Sequence, residues 1–375
     1  MRFLVAVLLL VGTDARLWAG PVIKVGEVDP LSGSVSQFGI GCHRGILLAL
    51  ERINAVGGVL GREVQLVTED DQSKAGQSAA AVRKLISQDK VVAILGDATS
   101  SSTLESAPIA QQAKIPMITP SATNLRVTEV GDFIFRVCLL DDFQGRVLAR
   151  FAREKLKARR IFMLTDVRQD YSVDLGRYFK AAFTDLGGAI AGQQSYLTGD
   201  TVFRSQLTAI RAALPDAIFV PGYYSEVALI VKQGRQIGLR VPFIGCGGWA
   251  NQALVSVGGK AIDGCYFTNQ FSPNDQAPVV KQFVTKYEAK YRSVPDAFAA
   301  LAYDAASILC DAIRRAGAVG SREIRDALAK TAGFEGVTGT ISLDAKRNAS
   351  KPVLIMTINQ GKFDVVEKIA EAKAE

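Results

Sequence analysis

A single histidine, His43, stands in a chain of 375 residues. A Ser-His-Asp or Cys-His catalytic arrangement would have to be built on that one imidazole. His43 lies in GIGCHRG, in the first turns of a helical stretch, and the chain holds no GxSxG elbow. The five cysteines show neither a CxxC pair nor a Cys/His metal spacing. A Walker A loop, an HExxH pair and an EF-hand loop are all missing. GIGCHRG spaces its glycines as GxGxxxG, and LSGSVSQ separates it from the preceding strand, so it is a poor dinucleotide fingerprint. These absences argue against an enzyme, a cofactor and a metal. Charge is not gathered either: the net +7 is spread along the chain, and its densest cluster, REKLKARR (153–160), reads as the polar end of a surface helix. Nucleic acid is therefore not an expected partner. No run beyond the N-terminus is long and apolar enough for a membrane span.

What is present begins at the N-terminus. Arg2 precedes an apolar run from Phe3 to Val11, and a small-residue site follows, with Ala19 before Gly20. This is the plan of a signal peptide over 1–19, which implies export and cleavage near Ala19. Export permits disulfides, but five cysteines leave at least one unpaired within the chain. Cys246 with Cys265, each closing a short strand-like run, is one candidate pair; buried inert thiols are the other reading.

Beyond residue 22, short apolar runs alternate with longer amphipathic stretches. The runs include IKVGEV (23–28), VQLVTE (64–69), VVAIL (91–95), RIFML (160–164), AIFVPG (217–222) and VPFIG (241–245); the stretches between them carry helical spacing. Such alternation predicts parallel sheets with helices on both faces. At least nine units are visible, more than one open sheet usually holds, so the expected fold is α/β with two doubly wound, Rossmann-like lobes. The tail, VLIMTINQGKFDVVE, instead predicts antiparallel strands turning at Gln360 and Gly361.

In doubly wound folds, ligands bind beyond the carboxyl ends of the strands. Two neighbouring strand ends here finish in hydroxyl clusters, TSSST (99–103) and TPSAT (119–123). Helix N-termini offer unpaired N–H groups and partial positive charge, so hydroxyls added there can hold a carboxylate without an arginine. The same residues also serve as ordinary N-caps. Tyr171, Tyr223 and Tyr224 follow other strand ends and suit either the walls of a cleft or a core.

Several stretches in fixed order resemble the type I periplasmic solute-binding proteins, in the leucine/isoleucine/valine-binding branch. They are PLSGSVSQFG (30–39), INAVGGVLGREVQLVTEDD (53–71), GDATSSST (96–103), IPMITPSATN (115–124), FRV…DDFQG (135–145), GYYSE (222–226) and AFAALAYDA (297–305). The resemblance implies two lobes joined by three crossings, with a ligand cleft between them. Lobe one would span 22–141 plus 271–337, and lobe two 142–270 plus 338–375. It implies a carboxylate pocket at Ser100, Ser121 and Thr123, and walls at Phe38, Ala98, Thr99, Tyr171 and Phe298. Tyr223 would contact the ammonium side of the ligand. It also implies a monomer that delivers a small-molecule carboxylate to the membrane permease of an ABC importer; a receptor-docking sensor is the alternative.

One departure bears on the ligand. Amino-acid binders of this branch place an acid after the strand 241–245, and the matching position here is Gly247. A buried ammonium without a counter-charge is costly. Asp97 and Asp170 are the acids nearby in sequence that would have to substitute. Branched-chain or related amino acids, non-amino organic acids (aromatic or aliphatic) and amides therefore all stay open.

Overall fold

The computed structural model describes Trp18 and residues 20–370. The leader expected over 1–19 lies outside the described residues apart from Trp18. Strands β1 (Ile23–Asp29), β2 (Val64–Asp70), β3 (Ala93–Gly96), β4 (Met117–Thr119) and β5 (Ile134–Arg136) form one all-parallel sheet in the order β2-β1-β3-β4-β5. Both faces of such a sheet are covered by helices, which is why β1 reads as an almost continuous buried run.

A second sheet is built from β6 (Arg160–Asp166), β7 (Ala189–Tyr196), β8 (Ala217–Phe219), β9 (Phe243–Gly245) and β10 (Tyr266–Asn269). After it come β11 (Phe334–Gly336), β12 (Gly339–Leu343) and β13 (Ala349–Ser350), which form a small sheet of their own. The final pair, β14 (Val353–Asn359) and β15 (Lys362–Ile369), adds antiparallel to β10, giving the order β15-β14-β10-β9-β8-β6-β7. The architecture is thus α/β with two doubly wound sheets. The turn between β14 and β15 falls at Gln360 and Gly361, both at positive φ.

The two longest helices, Ser36–Ala55 and Ala297–Ala316, pack against each other beside the first sheet. Their backbones approach closely: a Cβ on Gly45 would lie 2.1 Å from the Ala299 carbonyl oxygen. Small residues in AFAALAYDA make that approach possible.

The chain crosses between the sheets after β5, after β10 and before β14. Arg136, fully buried at the first crossing, donates to Asn348 Oδ1 and to the carbonyls of Ala122 and Leu125. Its backbone N–H donates to the Arg347 carbonyl. Asp304 accepts from the backbone N–H groups of Val337 and Thr338, and Lys351 donates to the Val137 carbonyl. Residues 334–350 are therefore bonded to the five-stranded side. The expected boundary at 338 cuts through the small sheet, and the chain rejoins the second sheet only at Val353. The possible Cys246–Cys265 bridge does not form: all five cysteines are buried free thiols.

Candidate functional site

The carboxyl ends of the two sheets face each other across a small cavity. Ala98 and Ser100 reach it from the end of β3, and Ser121 and Thr123 from the end of β4. Across the gap, Tyr171 follows β6, Tyr223 follows β8, Gly247 and Gly248 follow β9, and Asn269 and Gln270 close β10. Phe38, Ala297, Phe298 and Leu301 complete the wall from the two long helices and the residues they begin with. Nine of the ten residues named from sequence line this space. Thr99 does not. It is the residue before the helix Ser100–Ala113, and it is engaged with its own segment: its N–H donates to Asp97 Oδ1 and its carbonyl accepts from the Thr103 hydroxyl.

The hydroxyl clusters divide into two jobs. Thr103 and Thr119 both donate to the Asp97 carbonyl, at 3.1 and 2.7 Å, and so tie β3 to β4 from within. Ser121 donates to the Ala98 carbonyl at 2.8 Å, and Ser100 Oγ accepts from the Asn124 N–H at 3.3 Å. The first-turn N–H groups of the helix Ser100–Ala113 have no partner within the helix and sit at its positive end. That end of the cavity suits a carboxylate.

The other walls are apolar and close-packed. Phe38 stacks on Phe298 with ring centroids 4.0 Å apart, and meets Tyr223 edge-on at 5.3 Å. Tyr171 and Tyr223 stack at 5.3 Å, and the Tyr171 hydroxyl accepts from the Gly248 N–H at 3.1 Å. Gly248 has no room for a side chain, because a Cβ there would lie 2.7 Å from the Gly222 carbonyl oxygen and 2.9 Å from the Tyr223 ring. Gly247 differs: a Cβ would meet only Gln144 Oε1, at 3.6 Å. The position that lacks the acid is open space rather than filled.

Among the described residues no charged side chain lines the cavity. The buried ionisable groups close behind its lining are acids. Burial, reinforced by the neighbouring acid Asp71, pushes the Asp97 carboxyl well up, and burial does the same to Asp29. Asp97 is fully buried beside Asp71 and does not line the cavity. Asp170 is also committed elsewhere, paired with Arg126 and bonded to Ser101. Neither acid considered from sequence faces the ligand space. Asp141, the first residue of the helix Asp141–Glu154, is not among the residues named from sequence. Both of its carboxylate oxygens are buried without a partner, and burial raises its pKa to about 7 against the opposing pull of Thr123 and Arg136. Among the described residues no group of acids, cysteines or histidine is placed to hold a metal ion.

A cavity between two doubly wound sheets, built from strand ends, is the receptacle of a two-lobed solute-binding protein. The family described as periplasmic binding protein matches residues 22–362, and the chain belongs to that family. It is 30% identical over 344 residues to the leucine-, isoleucine-, valine-, threonine- and alanine-binding protein of Pseudomonas aeruginosa, covering 92% of this chain and 91% of that one. Among solved structures, the leucine-binding protein LivK of Thermotoga maritima matches with a TM-score of 0.90 and 39% identity, over 93% of this chain and 99% of that one. The branched-chain amino acid transporter substrate-binding protein LivJ of Streptococcus pneumoniae, in complex with isoleucine, matches with a TM-score of 0.88 and 36% identity over the same shares.

Proposed function

We propose that the chain is the periplasmic substrate-binding component of an ABC importer, which takes a branched-chain or related amino acid between its lobes and presents it to a membrane permease. The observation that carries this reading is the polarity of the cavity. Hydroxyls and a helix N-terminus stand at one end, aromatic rings form the body, and no cation among the described residues lines it. A ligand that brings both charges is neutral overall and asks for no lysine or arginine. The leucine-binding relative and the isoleucine complex support the same solute class. The lobes divide as 22–141 plus 271 to about 350, and 142–270 plus the tail from Val353, and they close by a hinge at the three crossings. In this role the protein is exported by the leader over 1–19, works as a monomer and turns over nothing.

Gly247 favours a second reading, a non-amino organic acid held by the hydroxyl end alone. Thermal shift separates the two with leucine, 4-methyl-2-oxopentanoate and benzoate. A ligand at about 100 times its Kd adds about 2.7 kcal/mol of stability. A shift with leucine alone supports the amino-acid reading. A shift with the oxo acid or benzoate alone replaces it with the organic-acid one.

A further inference from the structure

Four carboxyl groups lie fully buried in the first sheet's half of the molecule: Glu27 and Asp29 on β1, Asp71 just after β2 and Asp97 just after β3. Asp71 and Asp97 are within hydrogen-bonding reach of each other, yet each leaves its Oδ2 without a donor. Two carboxylates are acceptors only, so they bond to each other only when one of them carries a proton. Their other oxygens are fixed by the backbone. Asp71 Oδ1 accepts from the Ser73 N–H at 2.8 Å, and Asp97 Oδ1 accepts from the Thr99 N–H at 3.0 Å. The Ser78 hydroxyl, on the helix Gln77–Lys84, is buried beside Asp97 and also lacks a partner.

Asp97 also organises the end of the cavity that suits a carboxylate. Its carbonyl accepts from the Thr103 and Thr119 hydroxyls. The next residue, Ala98, lines the cavity, and the Ala98 carbonyl accepts from the Ser121 hydroxyl. An ionised Asp97 would set a buried negative charge behind the hydroxyls that meet the ligand's own carboxylate, where the low dielectric magnifies repulsion.

We propose that Asp71 and Asp97 share one proton, carried by Asp97 and donated to Asp71 Oδ2, and that this bond holds the turn from Asp97 to Ser100 while keeping the carboxylate end of the cavity free of opposing charge. Asp97 is a positioning residue in this account and does not touch the ligand. The inference rests on a carboxylate-bearing ligand, which the amino-acid and organic-acid readings have in common. The ionisable groups around Asp97 and Asp29 point the same way: Glu27 on β1, Asp71 after β2, Cys42 on the helix Ser36–Ala55 and Tyr223 across the cavity. Among the described residues this set includes no lysine or arginine, and His43 is bonded to Glu27 at 2.7 Å. Burial and the neighbouring Asp71 push the Asp97 carboxyl well above its ordinary range.

Two isosteric variants separate charge from shape. Asp71→Asn removes the neighbouring charge and offers Asp97 an amide donor, so Asp97 ionises behind the cavity. Asp97→Asn keeps a donor at Asp97 and leaves the charge on Asp71. The measurement is calorimetry at pH 8, with whichever of leucine and 4-methyl-2-oxopentanoate the wild type binds. Asp71→Asn should lose at least about tenfold in affinity and Asp97→Asn less than about threefold. At pH 5.5 the Asp71→Asn loss, relative to wild type at the same pH, should shrink to less than about threefold. Equal losses at pH 8, or a larger loss in Asp97→Asn, overturn the proposal. Infrared spectra of the ligand-free chain at pH 8 read the proton directly. Wild type should show a carboxylic-acid carbonyl band that Asp97→Asn lacks. Superimposable spectra overturn the proposal while leaving the binding reading intact. A wild-type chain that binds no carboxylate overturns both.

Discussion

Ser101 and Asp170 bond to each other twice across the cleft. The Ser101 hydroxyl donates to Asp170 Oδ2 at 2.9 Å and accepts from the Asp170 backbone N–H at 3.0 Å. Asn124 donates to the Asp170 carbonyl and to Asp174 Oδ2, and Arg126 pairs with both acids. On the opposite side of the cavity, the Tyr224 hydroxyl bonds Ser34 and Gln37, and Asn251 donates to Asp296. The structure is therefore the closed arrangement, with bonds from one lobe to the other on both flanks of the ligand space.

Those bonds form only when the lobes meet, so they should govern ligand release. Ser101→Ala removes a buried-edge hydrogen bond worth about 1 kcal/mol. Arg126→Ala removes an exposed ion pair worth less than about 1 kcal/mol. Combined, the two substitutions should raise the off-rate about fivefold to tenfold and leave the on-rate within a factor of two, as measured by stopped-flow fluorescence. An effect confined to the on-rate would mean that the latch forms before the ligand enters.

The two hydroxyls at the end of β4 should not be equivalent. Ser121 already donates to the Ala98 carbonyl, whereas the Thr123 hydroxyl is buried with no hydrogen-bond partner and lines the cavity. Thr123→Val should weaken leucine binding by about 2 kcal/mol, because it removes a hydroxyl that is free to bond the ligand's charged end. Ser121→Ala should cost about 1 kcal/mol or less. Calorimetry with both variants decides the order, and a larger loss for Ser121→Ala would relocate the polar end of the ligand.

The neighbouring glycines 247 and 248 should respond oppositely to a side chain. Gly248→Ala drives a methyl group into the Tyr223 ring and the Gly222 carbonyl, which must displace the Tyr171–Tyr223 stack that forms one wall. Affinity should fall at least tenfold, with overpacking of about 1–3 kcal/mol appearing in the melting temperature. Gly247→Asp meets only Gln144 and should fold normally. It should raise the leucine-to-oxo-acid affinity ratio about tenfold, since a charge-assisted hydrogen bond is worth about 1.5–3 kcal/mol. A ratio that does not move would place the ammonium away from β9.

The fold was legible because each strand with both faces covered is an unbroken apolar run, and each helix between them shows its spacing. The edge strand β7 was not, because AGQQSY is polar and half-exposed, and only its pairing with β6 makes it a strand. The ends of β3 and β4 announced themselves through their hydroxyls. Which hydroxyls point into the cavity did not, since Thr99 and Ser100 differ by one step around a helix start, and that rotation is set by Asp97 and Asn124. Asn269 and Gln270 reach the site only because the second crossing begins there, a fact that no local pattern records.

The same buried acids should shape stability without ligand. Burial raises Asp141 to about 7 and Asp296 to about 6, and pushes Asp29 and Asp97 well up. For a carboxyl whose pKa is raised by folding, the unfolded chain gives up its proton first. Stability is then fully present below the unfolded value near 3.8 and is lost as pH rises through the folded value. The ligand-free protein should therefore melt at a higher temperature at pH 5.5 than at pH 8. For Asp141 alone, a rise from 3.8 to about 7 corresponds to roughly 4 kcal/mol at most. Asp141→Asn should accordingly raise the ligand-free melting temperature at pH 8 and flatten part of its pH dependence. A ligand-free Asp141→Asn protein that melts below wild type at pH 8 would show instead that the carboxylate is satisfied within the chain.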